Sequence, residues 1–196
     1  MPLKTLVKVG TVTNLSDARY CAGMGVEMLG FNVIADTENY INSKNYQDIR
    51  GWISGPLFVV EVYGFKVNTL PEIIKNYVPD FVELALEDLA NLPDDITTSI
   101  ILSLDEMGYE KHKALLSKWQ PQIAYVILKA GENKVFLDDM VGEFPILLSH
   151  LQTEDVHQQL NTVGAKGIVL NGSPEIKPGL KDYNHLAEIL EQLEID

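Results

Sequence analysis

The feature that most constrains this chain is a repeated alternation. Short apolar runs of strand length are each followed by polar punctuation and then by a stretch with helical periodicity. The runs are Thr5–Val9, Met28–Val33, Phe58–Tyr63, Phe81–Leu84, Ser99–Leu104, Tyr125–Lys129, Ile146–Ser149 and Ile168–Leu170. Most carry apolar residues at both parities, as strands do when one face meets helices and the other fills a barrel or a second layer. The alternation therefore predicts βαβ units and an α/β fold. A minimal closed barrel and a doubly wound open sheet both satisfy it, because periodicity does not report whether a sheet closes.

Local signals punctuate the units. Helix starts are expected at Asn14 before LSDA, at a capping box Thr69-Leu70-Pro71-Glu72, at Thr153 before EDV and at Asp182 before YNHLAEIL, with stops at Gly25 and Gly164. Between Leu86 and Leu92, and between Val135 and Glu143, the helical stretches read as very short. No linker or low-complexity segment interrupts the 196 residues, so one compact domain over 1–196 is expected.

Composition narrows the partners. Fifteen basic against 28 acidic residues give a net charge of −13, which repels nucleic-acid backbones and anionic membrane surfaces. No apolar run approaches the roughly 18 residues of a membrane span, and Met1–Val9 is too short and too alternating for a signal peptide. Cys21 is the single cysteine, which excludes an internal disulfide and a cysteine-rich zinc site and fits a reducing cytoplasm. Neither a metal nor a cofactor is expected; the expected partner is a small molecule.

Two terminal motifs are more specific. VKVGTVTNLSDARYCAGMGVEMLGFNV, Val7–Val33, follows without a gap the pattern K-I-C-G-I-T-N-x-x-D-A that continues to G-F. GIVLNGSPEIKPGLKDYNHL, Gly167–Leu186, follows V-D-V-S-S-G-V-E-x-x-P-G-x-K-D, with Glu175, Pro178, Gly179, Lys181 and Asp182 on retained letters. VNTLPEI from Val67 and LLSHLQTEDV from Leu147 are weaker matches between them. In these segments the chain resembles the phosphoribosylanthranilate isomerases of tryptophan biosynthesis. The resemblance implies a compact, closed (β/α)8 TIM barrel with its site at the C-terminal ends of the strands.

The family reaction is an Amadori rearrangement, in which a general acid opens the ribose ring and a general base removes the C2′ proton. The family's cysteine base falls on Gly10, which has nothing to titrate, and its aspartic acid falls on Lys129, a lysine being a far weaker acid. A substrate-contacting arginine becomes Asn39, and Cys21, on the first helix, reads as a buried small hydrophobe rather than a substitute base. The family's Gly-Gly phosphate cradle becomes Ser149 and His150. Its Ser-Ser-Gly half becomes Asn171, Gly172 and Ser173, whose backbone keeps the form of an anion nest. His150 is either a source of charge for a phosphate or a solvated loop residue.

Lys8 shares a strand face with Gly10, so it points into the barrel as the family's lysine does. The family's acidic partner for it is Val169 here, so Glu61 or Glu83 must take that place. With Lys8 and Lys129 these acids form a charge-balanced set, either structural or catalytic, and Lys129, Glu83, Glu61 and His150 are the candidate catalytic residues. A Schiff-base role for Lys129 is opposed by the neighbouring carboxylates. These substitutions predict a barrel that has lost the isomerase reaction and binds or transforms another small metabolite, phosphorylated or not. A working isomerase with unorthodox residues and a non-catalytic interaction or regulatory protein stand as the alternatives.

Overall fold

The computed structural model describes residues 2–66, 68–131, 134–151, 156–172, 175–177, 180–181 and 183–195. Eight parallel strands form one closed barrel: β1 (Leu6–Gly10), β2 (Met28–Asn32), β3 (Leu57–Glu61), β4 (Phe81–Ala85), β5 (Ser99–Ser103), β6 (Ile123–Lys129), β7 (Ile146–Ser149) and β8 (Gly167–Asn171). Each lies on an apolar run expected from the sequence. The pairing of β8 with β1, from Leu6 opposite Gly167 to Gly10 opposite Asn171, decides between barrel and open sheet. A last hairpin follows, β9 (Glu175–Lys177) against β10 (Leu180–Lys181).

Strand alternation sorts the side chains into two cores. Met28, Val59, Ile101, Ile127 and Leu147 point inward and fill the barrel below the site. Residues of the other parity, among them Val7, Val9, Phe31, Phe58 and Leu148, are buried beneath the helices. Inward parity on β1 belongs to Leu6, Lys8 and Gly10, so one strand carries a fully buried ammonium through an apolar interior. That placement forces the arrangement of the site above it.

The surrounding helices are α1 (Leu15–Gly23), α2 (Ser43–Trp52), α3 (Leu70–Tyr77), α4 (Glu106–Trp119), α5 (Lys134–Glu143), α6 (Val156–Val163) and α7 (Asn184–Gln192), with a 3-10 turn at Leu86–Asn91 in place of a helix after β4. Asn14 caps α1 as expected, its side chain accepting from the Asp17 N–H at 2.9 Å. Thr69 does not cap α3: its backbone is already helical and its hydroxyl donates to the Lys66 carbonyl at 2.7 Å, leaving Pro71 to set the first turn. Thr153 and Asp182 lie outside the described residues. Helix α5, expected to be very short, runs for 10 residues, as long as α2. Gly25 and Gly164 have φ of 82° and 70°, the left-handed conformation that ends a helix. The Tyr183 hydroxyl donates to Asp17 at 2.5 Å and its ring stacks on Tyr20, tying the approach to the last helix to the first.

No helix among the described residues is long and apolar enough to cross a membrane.

Candidate active site

The site grows from the charge on β1. Lys8 Nζ lies 2.7 Å from Glu61 Oε1 and 2.7 Å from Glu83 Oε2, and all three side chains are buried. Glu61 and Glu83 are direct register partners on β3 and β4, an arrangement that repels unless a cation stands between them. Burial alone pulls an ammonium down, but the two carboxylates outweigh it and hold Lys8 above its ordinary value. For Glu83 burial is the largest influence, opposed by Lys8 and reinforced by Glu61, and its carboxyl stands above the usual range. One cation between two acids leaves a surplus negative charge unless one acid holds a proton. Glu83 is the one that burial inclines to hold it.

Two glycines make room for Glu61. A Cβ added to Gly10 would lie 2.6 Å from Glu61 Oε1 and 3.2 Å from Lys8 Nζ, and one added to Gly30 on β2 would collide with the same carboxylate. Glu61 therefore reaches across β2 and lies over the end of β1, in the space that a side chain at position 10 would take. Its other oxygen accepts the Thr11 N–H at 3.1 Å. Thr11 has φ of 52°, a left-handed backbone that a β-branched residue rarely adopts, and that conformation accompanies an N–H turned onto the carboxylate.

Above this floor the described residues leave a cavity of about 570 Å³ at the strand C-termini. Tyr63 stands in its wall, 43% exposed, with its hydroxyl donating to Glu83 Oε1 at 2.6 Å and in hydrogen-bond contact with Ser103. Burial first, and then the Glu83 charge, push the phenol well above its ordinary range. On the opposite side lie Ser149, His150, Asn171 and His185. The Ser149 hydroxyl donates to the Leu128 carbonyl at 3.2 Å and lies 3.1 Å from His150 Nδ1. His150 has φ of 57°, so a histidine holds the left-handed conformation that glycine adopts without strain.

The structure thus brings together Lys8, Glu61 and Glu83 on the floor and Ser149, His150 and Asn171 on the rim. It corrects two expectations. Lys129 does not join the buried charges: it is exposed at the very end of β6, beyond the depth of Glu61 and Glu83, and makes no ion pair with either among the described residues. Gly172 does not offer its N–H to an anion, because that N–H donates to the Gly10 carbonyl at 2.8 Å. Ser173 lies outside the described residues. Asn39 is exposed with φ of 60° and is not in the cavity wall, and Cys21 is buried in α1. Tyr63, Thr11, Ser103 and His185 were not singled out from the sequence. For both Ser103 and Tyr63 a signal existed: Ser103 shares inward parity with Ile101, and Tyr63, the last residue of the run Phe58–Tyr63, shares it with Val59 and Glu61.

No protein-family model matches the chain. Two curated relatives span nearly all of it. The N-(5′-phosphoribosyl)anthranilate isomerase of Maridesulfovibrio salexigens is 23% identical over 201 residues, covering 94% of this chain and 96% of that protein. The enzyme of the same name from Thermotoga neapolitana is 23% identical over 206 residues, covering 95% and 97%. By sequence the chain is similar to phosphoribosylanthranilate isomerases over nearly its whole length. Solved isomerases of this kind share its fold. The Thermotoga maritima enzyme superposes with a TM-score of 0.75 at 17% identity, over 96% of this chain and 98% of that one. A phosphoribosylanthranilate isomerase in complex with reduced 1-(o-carboxyphenylamino)-1-deoxyribulose 5-phosphate gives 0.74 at 18% identity, over 95% and 97%. The Glu61 carboxylate lies in the space above Gly10, the position on which the motif resemblance places the family's cysteine.

Proposed function

We propose that the protein is an Amadori isomerase of the phosphoribosylanthranilate isomerase type in which Glu61 serves as general base in place of the family's cysteine. The observation that carries this reading is the position of the Glu61 carboxylate, within contact distance of any side chain that Gly10 could bear. A base delivered from β3 reaches the same point as one delivered from β1, so the loss of the cysteine is not a loss of the base. The relatives that match over nearly the full chain support the working-isomerase reading over a barrel that has lost its reaction.

The chemistry needs two groups in opposite protonation states facing one sugar, and environments that push two acids apart supply them. Both Glu61 oxygens accept hydrogen bonds, one from Lys8 and one from the Thr11 N–H, which suits a carboxylate waiting for a proton. Glu83, with its raised carboxyl, suits the proton-holding role. Ser149, His150 and His185 then form the wall for the substrate's phosphate, with side chains doing what bare glycine backbone does in the family. The substrate is a small phosphorylated molecule, and the single buried cysteine suits a cytoplasmic enzyme.

A second reading is a barrel that binds or transforms another small phosphorylated metabolite. It is favoured by Lys129, an exposed cation where the family keeps its acid. The open cavity, of a size usual for small-ligand sites, counts against a purely regulatory barrel with an occluded mouth. The test is to supply phosphoribosylanthranilate to the purified protein and follow the loss of its fluorescence. Turnover supports the isomerase; saturable binding of phosphorylated sugars without turnover supports the second reading.

A further inference from the structure

We infer that the Tyr63 hydroxyl is the proton donor to the ribose ring oxygen, recharged from Glu83 behind it. This rests on the isomerase reading above and supplies the acid that reading lacks. An acid is needed because the bond between the anomeric carbon and the ring oxygen breaks with its electron pair on oxygen, and an alkoxide is a poor leaving group. Lys129, at the family's acid position, lies outside the cavity wall. Glu83 is only 3% exposed and sits at the floor, whereas Tyr63 is 43% exposed within the cavity and hydrogen-bonded to it. A proton held by Glu83 therefore meets the sugar through the phenol.

The hydroxyl hydrogen is a rotor, and its direction follows the protonation of its partner. When Glu83 carries the proton, Glu83 donates to the Tyr63 oxygen, and the Tyr63 hydrogen turns toward the cavity. In the step itself the ring oxygen takes the Tyr63 proton, Tyr63 takes the Glu83 proton, and the lone pair of the substrate nitrogen forms the C=N bond as the C–O bond breaks. Glu61 then accepts the C2′ proton, and its C–H electron pair forms the C1′=C2′ bond while the C=N electrons return to nitrogen. No oxidant or co-reactant is required. The site is left with its proton on Glu61 instead of Glu83, and the starting state returns when Glu61 gives that proton to solvent in the cavity while Tyr63 takes one from solvent and passes its own to Glu83 Oε1, 2.6 Å away. His150 and His185 also line the cavity, but the hydrogen bonds among the described residues join neither of them to Tyr63, Glu83, Lys8 or Glu61.

The experiment compares the unmodified protein with Tyr63→Phe on phosphoribosylanthranilate, with melting temperature as the check on folding. The variant keeps the ring and the Lys8 ion pairs, so it is expected to melt close to the unmodified protein. Its kcat should fall about 100-fold or more, the usual contribution of a positioned acid, with KM changed by less than about threefold. A proton inventory of the unmodified enzyme in mixed light and heavy water should be curved, as two protons move together through Tyr63 and Glu83. Near-full activity of Tyr63→Phe, or a linear single-proton inventory, overturns the assignment while leaving the isomerase reading in place. Absence of turnover by the unmodified protein overturns the isomerase reading itself, and this assignment with it.

Discussion

Glu61 and a side chain at position 10 compete for one space: a Cβ on Gly10 would stand 2.6 Å from Glu61 Oε1, so the carboxylate would have to shift. The relationship turns an apparent deletion into an exchange. Restoring cysteine at position 10 alone would displace the Glu61 carboxylate that already lies in that space.

Gly10→Cys should therefore destabilise the protein by about 1 to 3 kcal/mol, the usual cost of overpacking. In a Glu61→Ala background the same change should cost less, and a double-mutant cycle should give a favourable coupling of about 1 kcal/mol or more. Denaturant titration of the four proteins measures it; additive effects would show that the two sites are independent.

Lys8→Met would leave two buried carboxylates without their cation. A loss of about 3 to 5 kcal/mol is expected, against less than about 0.5 kcal/mol for Lys111→Met on the exposed face of α4. Equal losses for the two would mean that Lys8 reaches solvent.

The raised carboxyl of Glu83 has a signed consequence for stability. Its folded value stands above the ordinary 4.5, so its contribution is fully present below that pH and is lost as pH rises through the folded value. Glu83→Gln cannot ionise and leaves Lys8 paired with Glu61. Its stability relative to the unmodified protein should improve as pH rises above 4.5, measured by melting temperature across the series. A difference that does not vary with pH would mean that Glu83 titrates as an ordinary carboxyl.

His150 stands on the cavity rim and Gly172 has its N–H committed to Gly10. Inorganic phosphate, used as a competitive ligand, should bind about fivefold more weakly to His150→Ala, the worth of roughly one hydrogen bond. Unchanged affinity would move the phosphate wall away from this residue.

The strands were legible because each is a locally coded apolar run, and closure was legible only through the terminal motifs that resemble a known barrel. The pairing of Lys8 with Glu61 and Glu83 could also be read in advance, since a buried ammonium beside Val169 needs an acid from elsewhere. Depth along the barrel axis was the hidden coordinate. Alternation gives Lys129 the parity of Tyr125 and Ile127, and the run places it at the strand end, but neither shows that this end lies beyond Glu61 and Glu83, where the side chain escapes to solvent. The contact of Glu61 with Gly10 was hidden for a related reason: it crosses β2 and depends on Gly30 leaving the path open. The commitment of the Gly172 N–H follows from the β1–β8 register, which no single segment encodes. Tyr63 has the parity of Glu61 within the run Phe58–Tyr63, but its hydrogen bond to Glu83 joins two strands and is encoded by neither run alone.

The central claim is that Glu61 is the base of a working isomerase, and the direct measurement is kcat of the unmodified protein and of Glu61→Gln on phosphoribosylanthranilate. Glutamine keeps the shape and the acceptor for Lys8 but cannot take a proton. The account predicts turnover by the unmodified protein and a fall of about 100-fold or more in the variant. Turnover that survives Glu61→Gln within a few-fold, or no turnover in either protein, would contradict it.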